Sequence, residues 1–284
     1  MAFYLLGLSI LLVFFPYKPT IIRVPLWCLV CLLAVVSGIL EHTLDVNGAV
    51  VILAYSALLL GALKSQQVWL RRLLVCLFGV FSLALAMHLL PGFHNEQVVD
   101  HQIVSVDATP FTLYANFDKG LAGLFLLAYF FAGQVRAEYY QRQNNSIEIG
   151  FIIILTSLFA LGLAFLLGLI RFDVKLPSFW LGFLAINLFF TCAAEEAFFR
   201  GFLQKGLSAW LEGKLPLLIA PIFSALIFGL AHIAAGIEYA LVAGIAGFGY
   251  GYIFYRTKRI EWSILCHFIF NVTHIFLFTY PMLA

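Results

Sequence analysis

The chain has 284 residues, 63% of them hydrophobic and only 11% charged, with a formal net charge of +2 and a mean hydropathy of +1.02. A soluble domain carries roughly 25% charged residues, so a water-facing surface cannot be built here and lipid is the solvent for most of the chain. Nucleic-acid binding is excluded with it, because that needs a basic stripe on a soluble face.

The first residues, MAFYLLGLSILLVFF, lack a basic leader and a small-residue cleavage site, and read as a short first membrane segment rather than a removable signal. A bilayer core of ~30 Å needs about 20 apolar helical residues, somewhat fewer for short or tilted spans. Predominantly apolar runs at 2–15, 24–40, 47–63, 73–90, 120–135, 149–170, 178–200, 215–235, 238–255 and 262–281 meet this. They predict an all-α, multi-pass transmembrane helical bundle of about ten spans. With the N-terminus outside, only Lys119, Arg171 and Lys175 of the 16 Lys and Arg fall on the outer side, and the rest fall inside. That asymmetry follows the positive-inside rule and places both termini outside.

The five cysteines, Cys28, Cys31, Cys76, Cys192 and Cys266, all lie within apolar runs and are expected to be free thiols. Between the fourth and fifth spans, Pro91 to Lys119 is polar and includes Glu96, Asp100, Asp107, Asp118, His94 and His101. It reads as an outer loop with a short hairpin or amphipathic piece. The basic linker Arg136–Glu148 divides a five-span N-terminal extension (1–148) from a C-terminal membrane domain (149–284). Gly244, Gly247, Gly249 and Gly251 have no strand before them and no phosphate-binding lysine, and are expected to serve close helix packing.

Inside the apolar ladder the acidic residues reduce to Glu195 and Glu196, in the run TCAAEEAFFRGF. Each costs roughly 2.5–3.5 kcal/mol to insert at the bilayer centre, which marks the pair as a functional candidate. On an α-helical wheel Glu196 and Arg200, four apart, are neighbours with the acid in the favourable N-terminal place. Glu195 lies about 100° away from Glu196. This assigns Glu196 to neutralising Arg200 and leaves Glu195 to face a cavity as a general base. A purely structural role for both glutamates is the alternative.

Phe228 and His232 are four apart, so the ring can pack on the imidazole and orient it. His267 and Asn271, also four apart, present two hydrogen-bond donors suited to a developing oxyanion, or to an interhelical clamp. His274 follows on a similar face, while isolated His88 reads as structural. No base is placed in sequence to activate Cys192 or Cys266.

Taken together, Glu195-Glu196-Ala-Phe-Phe-Arg200, Phe228-x-x-x-His232 and His267-x-x-x-Asn271 resemble the CPBP family, which joins CAAX-type prenyl-protein proteases with bacteriocin-processing or immunity proteins. The resemblance covers roughly 149–284 and implies a glutamate-type intramembrane endopeptidase without metal or other cofactor. It implies that Glu195 and His232 activate a water, that His267 and Asn271 form the oxyanion hole, and that Glu196, Arg200 and Phe228 support the site. The partners implied are a membrane protein or peptide substrate and the lipid bilayer, with the chain in the inner (plasma) membrane. Two other readings use the same residues: a zinc protease holding metal with Glu195, His232 and His267, and a non-catalytic membrane partner of the immunity type. Residue counts from Phe179 and Trp262 put Glu195 and His267 toward the inner half. The catalytic reading then expects Glu195, His232, His267 and Asn271 to share one water-accessible cavity, within about a helix diameter (~10 Å) and opening toward the cytoplasmic half.

Overall fold

A helix stands at each of the ten positions where the sequence predicts a span. The computed structural model describes residues 1–15, 24–133, 139, 145–212, 216 and 218–284. Its helices are α1 (Ala2–Leu12), α2 (Leu26–Leu40), α3 (Val46–Lys64), α4 (Val68–Ala86), α5 (Phe117–Ala132), α6 (Ser146–Leu166), α7 (Trp180–Leu211), α8 (Ile219–Ala231), α9 (Ile237–Thr257) and α10 (Ile260–Leu277). The chain is therefore an all-α bundle of membrane type. Among the described residues α3, α4, α6, α7, α9 and α10 are long and apolar enough to cross a bilayer, while α1, α2 and α8 are shorter apolar helices. With these shorter helices counted or not, the structure is consistent with about six to ten spans. The basic residues Lys18, Arg23, Arg136, Arg142 and Lys214 used in the charge count, and most of the linker Arg136–Glu148, lie outside the described residues.

Local chemistry sets the helix ends. Asp45 caps α3 by accepting hydrogen bonds from the amides of Asn47 and Gly48 at 2.7 and 3.2 Å, and Asn145 caps α6 in the same way. These caps satisfy backbone donors that the first helical turn leaves open. Gly236, with φ of +111°, turns the chain between α8 and α9 in a conformation few other residues adopt. On α3 and α6 large apolar side chains such as Leu53, Leu60, Ile154 and Phe159 point outward, the signature of helices whose outer solvent is hydrocarbon. The polar stretch after α4 forms a two-stranded hairpin, β1 (Glu96–Gln102) with β2 (Phe111–Ala115), as the loop reading expects.

The chain divides into two compact units that interleave along the sequence. The first takes Met1–Glu96, Tyr114–Glu138 and Phe189–Phe198. Its centre is α5, buried on nearly every side, as a helix that is apolar all round must be. Tyr55 stacks between Phe78 and Phe125 at centroid separations of 5.0 and 4.8 Å, and its hydroxyl satisfies itself on Ser82 at 2.6 Å.

The second unit takes Gln97–Leu113, Tyr139–Leu188 and Phe199–Ala284. Here α9 packs against α6, α8 and α10. Gly249 serves the close packing expected of the glycine-rich stretch, since a Cβ there would lie 2.1 Å from Thr156 Oγ1. At the far end, Tyr139 donates its hydroxyl to Glu261 at 2.5 Å and accepts from the amide of Ile260 at 2.8 Å, fixing the start of α10. The expected free thiols are all unbridged.

Candidate active site

α7 is not a uniform helix. Asn187–Cys192 and Ala197–Gln204 are π-helical, and only the four residues Ala193–Glu196 between them are α-helical. A π segment bonds i to i+5 and occurs mostly as short bulges at functional sites. The wheel at 100° per residue therefore applies strictly only to Ala193–Glu196, where it separates Glu195 from Glu196.

In the second unit, Arg200 is fully buried and ties α7 to α9 and α8. Its Nη2 donates to the carbonyl of Gly247 at 2.6 Å, and the guanidinium lies 4.9 Å from the ring centre of Phe228 and 5.4 Å from that of Tyr250. A Cβ on Gly247 would come within 2.9 Å of Phe228 Cδ1 and 3.3 Å of Arg200 Nη2, so only glycine admits this arrangement without displacing the ring.

The two histidines meet the same aromatic pair. Phe228 contacts His232 at 4.7 Å and His267 edge-on at 5.7 Å, while Tyr250 stacks on His267 at 4.5 Å. His232 caps the C-terminus of α8, and its Nδ1 lies 2.8 Å from the carbonyl of Phe228. A carbonyl only accepts, so Nδ1 carries the proton and Nε2 is the basic nitrogen. Asn271 donates one amide hydrogen to Asn187 Oδ1 at 3.1 Å. That bond fixes the direction of the Asn271 side chain. His274 is buried and bonds the carbonyl of Thr279 at 3.2 Å.

His232, His267, Asn271 and His274 all line one narrow cavity, together with Phe228, Tyr239 and Tyr250. Its volume is about 60 Å³, room for about four waters at roughly 10–15 Å³ each. Three of the four expected catalytic residues, His232, His267 and Asn271, thus line one space of water-sized volume. Its walls run on to Leu169, Ile170, Pro281 and Met282, which follow the C-terminal ends of α6 and α10.

Glu195 and Glu196 belong to the stretch Phe189–Phe198 of the first unit. Glu196 is fully buried. Glu195 is not an unpaired carboxylate: Lys119, in the first turn of α5, donates to its Oε1 at 2.8 Å.

Residues 177–273 match the family described as Type II CAAX prenyl endopeptidase Rce1-like. That stretch is Rce1-like. It is about a third of the chain and holds every expected site residue: Glu195, Glu196, Arg200, Phe228, His232, His267 and Asn271. The Rce1-like segment carries the α7–α10 scaffold, while α1–α6 lie outside it. No curated protein and no solved structure matches the chain. A family of membrane proteases accounts for polar groups that would otherwise be a pure cost in lipid.

Sequence reasoning did not single out Lys119, Asn187 or Tyr250. Asn187 left a signal, as a lone amide within LGFLAINLFF. Tyr250 left none among the many aromatics. Lys119 stands 76 residues from its partner and read simply as an end-of-span cation.

Proposed function

We propose that the chain is an intramembrane endopeptidase that hydrolyses a membrane-embedded protein or peptide with a water activated by Glu195 and His232. The observation that carries this reading is the convergence of His232, His267 and Asn271, all within the Rce1-like segment, on one water-sized cavity. In the reaction, His232 Nε2 orients the water and the Glu195 carboxylate takes its proton. The resulting hydroxide oxygen bonds to the scissile carbonyl carbon, whose oxygen becomes an oxyanion. His267 and Asn271 donate to that oxyanion, where preorganised donors act most strongly. The C–N bond then breaks as the proton passes from Glu195 to the leaving nitrogen, giving a free carboxyl and a free amine. Arg200, Phe228 and Tyr250 hold the two imidazoles in place.

Among the described residues no three His, Cys, Asp or Glu side chains are grouped to hold a metal ion. The test is to incubate the purified protein in lipid vesicles with solubilised membrane proteins, and to read new N-termini by mass spectrometry. We expect a small set of cleavage sites that persists unchanged in EDTA and 1,10-phenanthroline. Loss of those sites with chelator and their return with zinc would transfer the mechanism to a metal.

A further inference from the structure

Lys119 belongs to α5, outside the Rce1-like segment, yet its ammonium lies 2.8 Å from Glu195. Both side chains are largely withdrawn from solvent, at 18% and 16% exposure. A carboxylate in such a place is pushed toward its neutral acid by desolvation, and an adjacent cation opposes this. A general base must be ionised before it can accept a proton.

The approach of the two helices is specific. A Cβ on Gly123, one turn along α5 from Lys119, would lie 2.7 Å from the Cα of Ala194, the residue before Glu195. A Cβ on Gly120 would lie 2.5 Å from Phe190. α5 therefore docks on the glutamate-bearing stretch through bare backbone, the arrangement small residues permit between membrane helices. The lysine's own backbone is fixed by a second set of bonds. Buried Asp118 accepts from the amide of Lys119 at 2.9 Å and from Asn95 Nδ2 at 3.0 Å, and lies 2.7 Å from His88 Nδ1. Asn95 Oδ1 in turn accepts from the amide of Phe117 at 2.8 Å. His88 is thus an anchor of the α5 start, not an isolated packing residue.

We infer that Lys119 is a positioning residue of the N-terminal helices, which holds Glu195 ionised and aimed for catalysis. This rests on the reading of Glu195 as the base given above. α5, which lies outside the Rce1-like segment, then supplies a charge to the glutamate-bearing stretch of that segment.

The test compares wild type with Lys119→Met, Lys119→Arg and Gly123→Val in vesicles, using a cleavable peptide taken from the sites mapped above. Lys119→Met is expected to lower kcat at least tenfold with KM little changed, and Lys119→Arg to restore most of it. Gly123→Val keeps the ammonium but forces the helices apart, and should fall with Lys119→Met. Independently of turnover, isotope-edited infrared spectra of labelled Glu195 near pH 7 should show a carboxylate in wild type and Lys119→Arg. The protonated C=O band should appear in folded Lys119→Met. An unchanged carboxylate band and unchanged kcat in folded Lys119→Met would overturn the inference while leaving Glu195 as the base. Normal turnover by Glu195→Gln would instead remove the base reading, and the infrared comparison would still decide whether Lys119 sets the charge.

Discussion

Replacing Arg200 with leucine is expected to cost about 3–5 kcal/mol of stability and to leave little folded protein in the membrane. The buried guanidinium donates to the Gly247 carbonyl at 2.6 Å, and a hydrogen bond from a charged group contributes roughly 1.5–3 kcal/mol. Its place over Phe228 and Tyr250, at 4.9 and 5.4 Å, adds up to about 2 kcal/mol for a desolvated cation–π contact. Leucine supplies neither and leaves the carbonyl of Gly247 buried without this donor. Arg200→Lys should recover only part of the loss, because a lysine ammonium cannot stack as a guanidinium plane does. Thermal unfolding in detergent, followed by size-exclusion fluorescence, reads this directly. A wild-type melting curve for Arg200→Leu would show that the aromatic–guanidinium cluster is not what holds α7, α8 and α9 together.

His232→Gln should behave in the opposite way, folding normally and losing turnover. The ring is only half-buried and ends α8 rather than filling a core, so its removal leaves no large cavity. What disappears is a basic nitrogen whose direction is set by the bond from Nδ1 to Phe228 O. General acid–base groups contribute roughly 10²–10⁴ in rate, and a loss of that size in kcat is expected, with the melting temperature within a degree or two of wild type. Cleavage at more than half the wild-type rate would move His232 from the chemistry to the scaffold.

Much of the architecture was open to reading because each helix is a local event. Ten apolar runs mark ten helices, and the three motifs fall on α7, α8 and α10 as their spacing requires. Two kinds of fact were not legible. The first is the π character of α7: a wheel assumes one hydrogen-bond register, and nothing in AFFRGFLQ announces the change to i+5. The second is which faces meet. In a soluble helix the polar face names the buried one, but α3 and α6 are apolar all round because lipid replaces water, so periodicity is weak and packing partners are hidden. The Lys119–Glu195 pair combines both difficulties. It joins residues far apart in sequence on helices with no amphipathic signal, and the motif logic had already assigned the nearer Arg200 to the glutamates.

The most direct measurement is a comparison of protein termini in membranes from cells making wild type or Glu195→Gln at matched levels of folded protein. The account predicts that a defined set of new C- and N-termini, paired across single peptide bonds in membrane proteins, is present with wild type and absent with Glu195→Gln. The same termini in both membranes would contradict the assignment of Glu195 as the group that activates water.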